Sequence, residues 1–381
     1  MRIALVNRFC PPDPAPTGRA MADLAVDLAA MLPGATIRLF TTCGSYRDGE
    51  THPPRALAGV VVTRIPAARL GRGRPARLAA GLIDGRRLAT LACGWADTVI
   101  SLTDPPLQGI WMGREARRRG VRWAEWTMDL YPEAFVAAGL AGVKNPFVRA
   151  LARRMRRLPP DLDICLGPAQ LDHVRRLRGE RPGIVLPAGL SDPAPLEPPS
   201  WRLREDRTVL AYAGNLGEAH SAETVARLIE RAPPTRYLFL MAPHGARANM
   251  LRQRIGGAPH IVWRDRLGAA DLDHADVHIV SLPPQWLHVC VPSKALSAIS
   301  RGRPILFLGP SDSDSCRFAG EAVWHVPEPA SDAAIDAALA AVADPAARAA
   351  ATEAAIAAHA RLTALRIEAI GRLAAWLRVP H

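Results

Sequence analysis

At 381 residues the chain exceeds what one small core organises, and its 49% apolar content is that of a globular protein, with two domains as the working count. The formal net charge of +12, from 48 Lys and Arg against 36 Asp and Glu with nearly all the cations arginine, attracts phosphate of any kind without choosing among nucleotide, nucleic acid and lipid. No apolar run approaches the roughly eighteen residues that a membrane-spanning helix needs. Six singly spaced cysteines (Cys10, Cys43, Cys93, Cys165, Cys290, Cys316), with no CxxC pair, argue against structural zinc and a disulfide framework.

The opening "MRIALVNRFC" has neither the long apolar region nor the cleavage site of a signal peptide and reads as a first strand, so a cytoplasmic location is expected. Short aliphatic runs then follow in order: "ATIRLFTT", "GVVVTRI", "DTVISLT", "VRWAEWT" and "LDICLG". Helical stretches lie between them. In "GRAMADLAVDLAAML", Met21, Leu24, Ala25, Leu28 and Leu32 recur at the three-four spacing of one helix face. Strand alternating with helix predicts a parallel sheet covered on both faces. After the proline-rich "GIVLPAGLSDPAPLEPPSWRLRED" the rhythm restarts with "TVLAYAG", "YLFLMAP", "HIVWRD", "VHIVSLPP" and "PILFLGP". Two doubly wound α/β domains are therefore expected, 1–190 and 191–364, with a closing helix at about 365–381 that packs back on the first. In such folds ligands bind at the carboxyl ends of the strands.

Three glycine turns follow predicted strands. In "RFCPPDPAPTGRAMADL", Thr17-Gly18 opens a helix whose free N–H groups favour an anion. In "YAGNLGEAHSAETV", Gly214, Asn215 and Gly217 separate strand from helix. Neither fits GxGxxG or GxxxxGK[ST], which disfavours a dehydrogenase or P-loop NTPase. The third is "VPSKALSAISRGRPILFLG": Pro292 pre-sets a turn, Ser293 is the expected N-cap, and Lys294 falls in the first helical turn, where the helix dipole disfavours a cation. A diphosphate held jointly by the lysine and the helix's N–H groups reconciles that misfit; a solvent-facing lysine is the plain alternative.

These residues resemble family 4 glycosyltransferases, in the subgroup that builds bacterial capsule, colanic-acid and O-antigen repeat units. "PSKALSAISRGRPILFLG" is similar to that subgroup's PSK helix and following strand, and "YAGNLGEAH" to its YSGNLG turn. "RFCPPDPAPTGRAMADLAVDLAAML" resembles its N-terminal PPD and TG loop, and "SLTDPPLQGIWMGREARRRGVRWAEWTMDLYPEAF" its SPP to DLWPE region. The four matches, in order, cover most of the chain. The resemblance implies a GT-B fold, two Rossmann-like domains facing across a cleft, with the acceptor on the N-terminal side and the nucleotide-sugar donor on the C-terminal side. It implies sugar transfer with retention, without a metal ion or other cofactor, to a glycan or polyprenyl-diphosphate-linked acceptor.

By position the resemblance puts Gly18 beside the donor diphosphate, Asn215 and Gly217 in the phosphate turn, and Ser293 and Lys294 on the diphosphate. Lys294, with Asp129 of "MDLYPE", would be catalytic, the lysine stabilising the departing diphosphate and the aspartate orienting a hydroxyl or the reacting centre. On the residues alone Asp129 equally suits a cap on the turn before Pro132. The family's paired glutamates are replaced by Val289 and Ser297, so Ser297 stands where a donor-ribose contact is usual. His220 and Ser221 occupy the turn where the family often has Arg and Lys, and His220 is a further candidate for the diphosphate.

"SDSDS", with Asp312 and Asp314, superficially resembles a metal-binding DxD, but serine-aspartate clusters are ordinary loops and no metal is expected. In 143–160, Phe147, Val148, Leu151 and Met155 mark an apolar helix face flanked by Arg149, Arg153, Arg154, Arg156 and Arg157, and "GREARRRGVRW" adds Arg114 and Arg117 to Arg119. That pattern suits either a peripheral contact with anionic lipid at the inner membrane face or an ordinary helix packed on a sheet. Scattered aromatics leave nucleic acid without a platform. The rival activities are a nucleotide-sugar 2-epimerase and a non-catalytic nucleotide-sugar binder.

Overall fold

The computed structural model describes residues 1–43, 56–68, 70, 73–190, 196–202 and 205–379. It divides into two compact units, Met1–Pro187 with Leu365–His381, and Ala188–Ala364. Parts of the proline-rich stretch, 191–195 and 203–204, lie outside the described residues.

The first unit holds strands β1 (Arg2–Val6), β2 (Thr36–Cys43), β3 (Val60–Pro66), β4 (Thr98–Leu102), β5 (Arg122–Thr127), β6 (Leu162–Cys165) and β7 (Gly183–Val185). They form one sheet in the order β3-β2-β1-β4-β5-β6-β7, every pair parallel. The second unit holds β8 (Thr208–Asn215), β9 (Tyr237–His244), β10 (Ile261–Trp263), β11 (Val277–Ser281), β12 (Ile305–Leu308) and β13 (Val323–Val326) in the order β10-β9-β8-β11-β12-β13, again all parallel. Each unit is thus a doubly wound α/β sheet whose strand order reverses once, between β1 and β4 and between β8 and β11. A crevice opens at such a reversal because the connections on its two sides depart to opposite faces.

Most strand residues are apolar because both faces are covered; the buried carboxylates Glu125 of β5 and Asp163 of β6 are paired by Arg178. Along β8, Leu210 and Tyr212 enter a core with Val225, Ile229 and Leu339, while Val209 and Ala211 turn to the opposite core with Leu267 and Ala275. Helix α1 (Pro16–Met31) buries Met21, Leu24, Ala25 and Leu28 on the face its spacing predicts, and Leu32 is buried just beyond its end. Between α1 and the second unit the chain adds α2 (Arg74–Trp95), α3 (Gln108–Arg119), α4 (Glu133–Ala137), α5 (Pro146–Arg157) and α6 (Pro168–Arg178). The second unit carries α7 (Ala222–Arg231), α8 (Ala248–Ile255), α9 (Ala269–His274), α10 (Ser293–Ser300), α11 (Asp314–Ala319) and α12 (Asp332–Ala343). Helix α13 (Pro345–Arg378) is continuous and ends in the first unit, burying Ile370, Leu373 and Leu377. There Arg366 pairs with Asp27 at 2.6 Å and the Arg122 guanidinium covers the Trp376 ring at 4.0 Å.

Two expectations need correcting. The proline-rich "GIVLPAGLSDPAPLEPPSWRLRED", read only as the break between the two rhythms, opens on a strand, since Gly183–Val185 pairs with β6 at the sheet edge. On α5, Val148 and Met155 are buried and Leu151 packs beside Met155, but Phe147 is 65% exposed. Its position in the first turn, where Asn145 caps the helix by accepting from the Phe147 N–H at 2.8 Å, turns it away from the sheet.

Candidate functional site

In the second unit the candidate residues gather at the reversal between β8 and β11. Strand β8 runs through Gly214, at φ +104°, to Asn215 and then turns sharply. The Leu216 N–H donates to the His244 carbonyl at 2.6 Å, and the His220 N–H donates to the Gly217 carbonyl at 3.2 Å. Gly217 packs against the Asn215 amide, and Gly245, at φ +104°, leaves no room for a Cβ beside the Asn215 Oδ1. Ser221 caps α7, its hydroxyl accepting from the Thr224 N–H, while the Ser221 N–H donates to the Ser281 hydroxyl at the end of β11.

Lys294 enters this turn from the start of α10. Its Nζ donates to the Asn215 carbonyl at 2.7 Å, lies 2.9 Å from His220 Nε2, and sits 5.3 Å from the Tyr212 ring centroid. The Tyr212 hydroxyl donates to the same Asn215 carbonyl at 3.3 Å. His220 Nδ1 lies 2.7 Å from the Ser281 carbonyl. Arg247 donates to the His220 carbonyl and to Glu218, both at 2.9 Å. Burial, followed by the nearby Lys294 charge, pushes the His220 imidazole down to about 3, so it is neutral. Desolvation lowers the half-buried Lys294 ammonium to about 7, with Cys290 acting weakly the other way. The arrangement is a small cationic donor, fixed by acceptors on two of its sides, at the carboxyl end of a parallel sheet.

Ser293 and Ser297 flank Lys294 on α10, Ser293 exposed and beside Gly189, Ser297 half-buried. Ser293 is not the N-cap. Pro292 holds that position without a side-chain bond and Ser293 is the first helical residue, because proline's fixed φ already supplies the entry geometry. Helix α10 closes at Gly302, whose φ of +63° lets the Arg303 N–H reach back to the Ala298 carbonyl at 3.0 Å. Asp314 lies in the first turn of α11, which Ser313 caps through the Cys316 N–H, so "SDSDS" serves as a helix start. Among the described residues no group of three or more His, Cys, Asp or Glu side chains is placed to hold a metal ion.

Gly18 and Asp129 belong to the first unit. Gly18 is buried, and a Cβ there would lie 3.0 Å from the Phe9 carbonyl carbon, so the close passage of the Phe9–Cys10 backbone explains the glycine. Asp129 follows β5, with its N–H and that of Met128 donating to the Thr103 hydroxyl at 3.2 and 3.1 Å. Asp104, unmarked by the sequence reading, lies two residues beyond the end of β4, next to Thr103, and accepts from the Thr17 hydroxyl at 3.4 Å. Desolvation raises both carboxyl groups to about 6, and in Asp104 Arg8 opposes the rise while Asp129 adds to it. Asp129 keeps a solvent-exposed surface, which tempers its shift. Asp104 thus lies by the first sheet's own reversal point, bonded to Thr17 at the start of α1, with Asp129 one strand further on and near enough for its charge to be felt. Ser281, Tyr212 and Arg247 were also missed; only a strand-end position before "LPP" marked Ser281.

The fold is that of the GT-B glycosyltransferases. A sucrose-phosphate synthase of Thermosynechococcus elongatus superimposes with a TM-score of 0.75 over 99% of both chains at 15% identity. WaaG, a glycosyltransferase involved in lipopolysaccharide biosynthesis, gives 0.69 over 97% of this chain and 98% of its own, also at 15% identity. Anabaena Alr3699/HepE, solved in complex with UDP, gives 0.63 over 98% of this chain and all of its own at 12% identity. No family profile and no curated protein sequence matches the chain.

Proposed function

We propose that the protein is a retaining glycosyltransferase that moves a sugar from a nucleotide-diphosphate donor to a glycan or polyprenyl-diphosphate-linked acceptor in cell-surface polysaccharide biosynthesis. The observation that carries this reading is Lys294, held at the end of β8 by the Asn215 carbonyl and His220 Nε2. Cleavage of the donor's glycosidic bond leaves negative charge on the diphosphate. A prepositioned ammonium and the N–H groups at the start of α10 stabilise that charge more in the transition state than in the ground state. Asn215, Gly217, Ser293 and Ser297 shape the donor side in this reading. Asp129 serves the acceptor or reacting centre in this reading, with Asp104 near enough to feel its charge, while Gly18 is accounted for by the close Phe9–Cys10 backbone. The stereochemistry, the metal independence and the acceptor class rest on the family resemblance.

The first unit also carries a shallow groove of about 750 Å³ lined by Arg114, Arg117 and Arg118 of α3 and Arg153, Arg154 and Arg157 of α5. Exposed Leu140, Val143 and Phe147 lie just before and at the start of α5. Cations beside exposed apolar side chains support a peripheral contact with an anionic membrane, where such an acceptor would lie.

A thermal-shift panel of nucleotides and nucleotide sugars tests the donor reading. A ligand at a hundred times its Kd stabilises by about 2.7 kcal/mol. The reading expects an upward shift with at least one nucleoside diphosphate that Lys294→Met abolishes, and a flat response across the whole panel contradicts it.

A further inference from the structure

We infer that His220 is a positioning residue for Lys294 and not itself an anion ligand: its imidazole, fixed in the Nδ1–H form by the Ser281 carbonyl, uses the bare Nε2 to hold the ammonium. A carbonyl can only accept, so the 2.7 Å contact assigns the ring's one proton to Nδ1. The lone pair left on Nε2 faces Nζ at 2.9 Å and accepts from it. A doubly protonated ring would instead set an N–H against a cation at that distance. Both ring nitrogens are committed and the residue is 8% exposed, so an anion has no donor to take from His220. The backbone is tied as well, since Arg247 links the His220 carbonyl to Glu218. Of the three Nζ protons, one goes to Asn215, one to His220, and the third has no acceptor among the described residues.

Composition supports a specific demand for lysine. Of the 48 Lys and Arg only Lys144 and Lys294 are lysine, in a chain that elsewhere uses arginine for its cations. A planar guanidinium does not suit this niche. Its donors are spread in a flat fork, whereas the acceptors here converge on one atom, and beside Gly214 even an added Cβ would meet Lys294 Cε at 3.3 Å.

The two-lysine composition also provides the test. Protein grown with [13C]lysine has two labelled side chains, with Lys144 as internal control. In the wild type the two Lys294 Hε protons should differ in shift, as on an immobilised side chain, while those of Lys144 coincide. His220→Phe should merge the Lys294 pair, and His220→Gln, which keeps an acceptor, should restore part of the splitting. With inorganic pyrophosphate as probe, His220→Phe should weaken binding by about tenfold or more, the loss of one hydrogen bond to a charged group. In a Lys294→Met background the same change should add nothing, because the histidine acts only through the lysine. A Lys294 splitting that survives in His220→Phe, or a further loss in the double variant, overturns the inference. The pyrophosphate arm rests on the donor reading: a wild-type Lys294 signal that ignores pyrophosphate counts against that reading, while the splitting still decides the role of His220.

Discussion

Lys294 shows how one side chain is tuned by what surrounds it. In the first turn of a helix a cation opposes the dipole, and here desolvation adds to that opposition and lowers its ammonium to about 7. An arriving diphosphate reverses both effects by supplying the counter-charge. Nucleoside diphosphate binding at pH 8 should therefore take up a proton, measurable as a dependence of the calorimetric enthalpy on buffer ionisation. Affinity should fall as pH rises above about 7, because the free lysine must then be reprotonated; His220, at about 3, stays neutral and contributes nothing to that slope. Lys294→Arg should lower turnover by about 10²-fold or more, as losing a preorganised donor does, although charge is conserved. An arginine variant with near-normal turnover would mean that only the charge matters there.

At the scale of elements, the strand-helix alternation was legible because parallel strands covered on both faces must be mostly apolar, as in "TVLAYAG" and "PILFLG". Strand β7 escaped notice because three residues flanked by Pro182 and Pro187 carry no periodicity. Lys294 and the glycine turn were each visible, and the family resemblance assigned both to one diphosphate, but the direct contact of Lys294 with Asn215 and His220, across 74 residues in the latter case, shows only once β8 and β11 pair. Asp129 was marked by the resemblance but Asp104 was not, because it is the pairing of adjacent strands β4 and β5 that brings the two segments near each other. Gly245 was hidden in a turn with no motif, yet its φ of +104° and the crowding by Asn215 make it the tightest point of the site. Gly245→Ala should destabilise by about 1–3 kcal/mol through a strained conformation, seen as a fall of several degrees in the second unit's Tm. An unchanged Tm would show that the turn relaxes.

Over the whole molecule, the +12 charge takes on a more specific form, because the groove formed by α3 and α5 gathers six arginines. Among these, Arg118 pairs with Glu115 at 2.6 Å, and no ion pair is seen for the other five among the described residues. Each surface cation contributes about 1 kcal/mol near an anionic bilayer. The protein should float with phosphatidylglycerol vesicles at low salt, and Arg153→Glu with Arg157→Glu should abolish flotation without altering Tm. Recovery of the wild type only in the pellet fractions would remove the membrane contact and leave the donor site untouched.

Release of nucleoside diphosphate from a panel of UDP-, GDP-, dTDP- and ADP-sugars, followed for the wild type, Lys294→Met and Asp129→Asn, tests sugar transfer most directly. The account predicts release from at least one donor by the wild type, lowered about 10²-fold or more by either substitution. Release from none of them, or a Lys294→Met protein as active as the wild type, would contradict it.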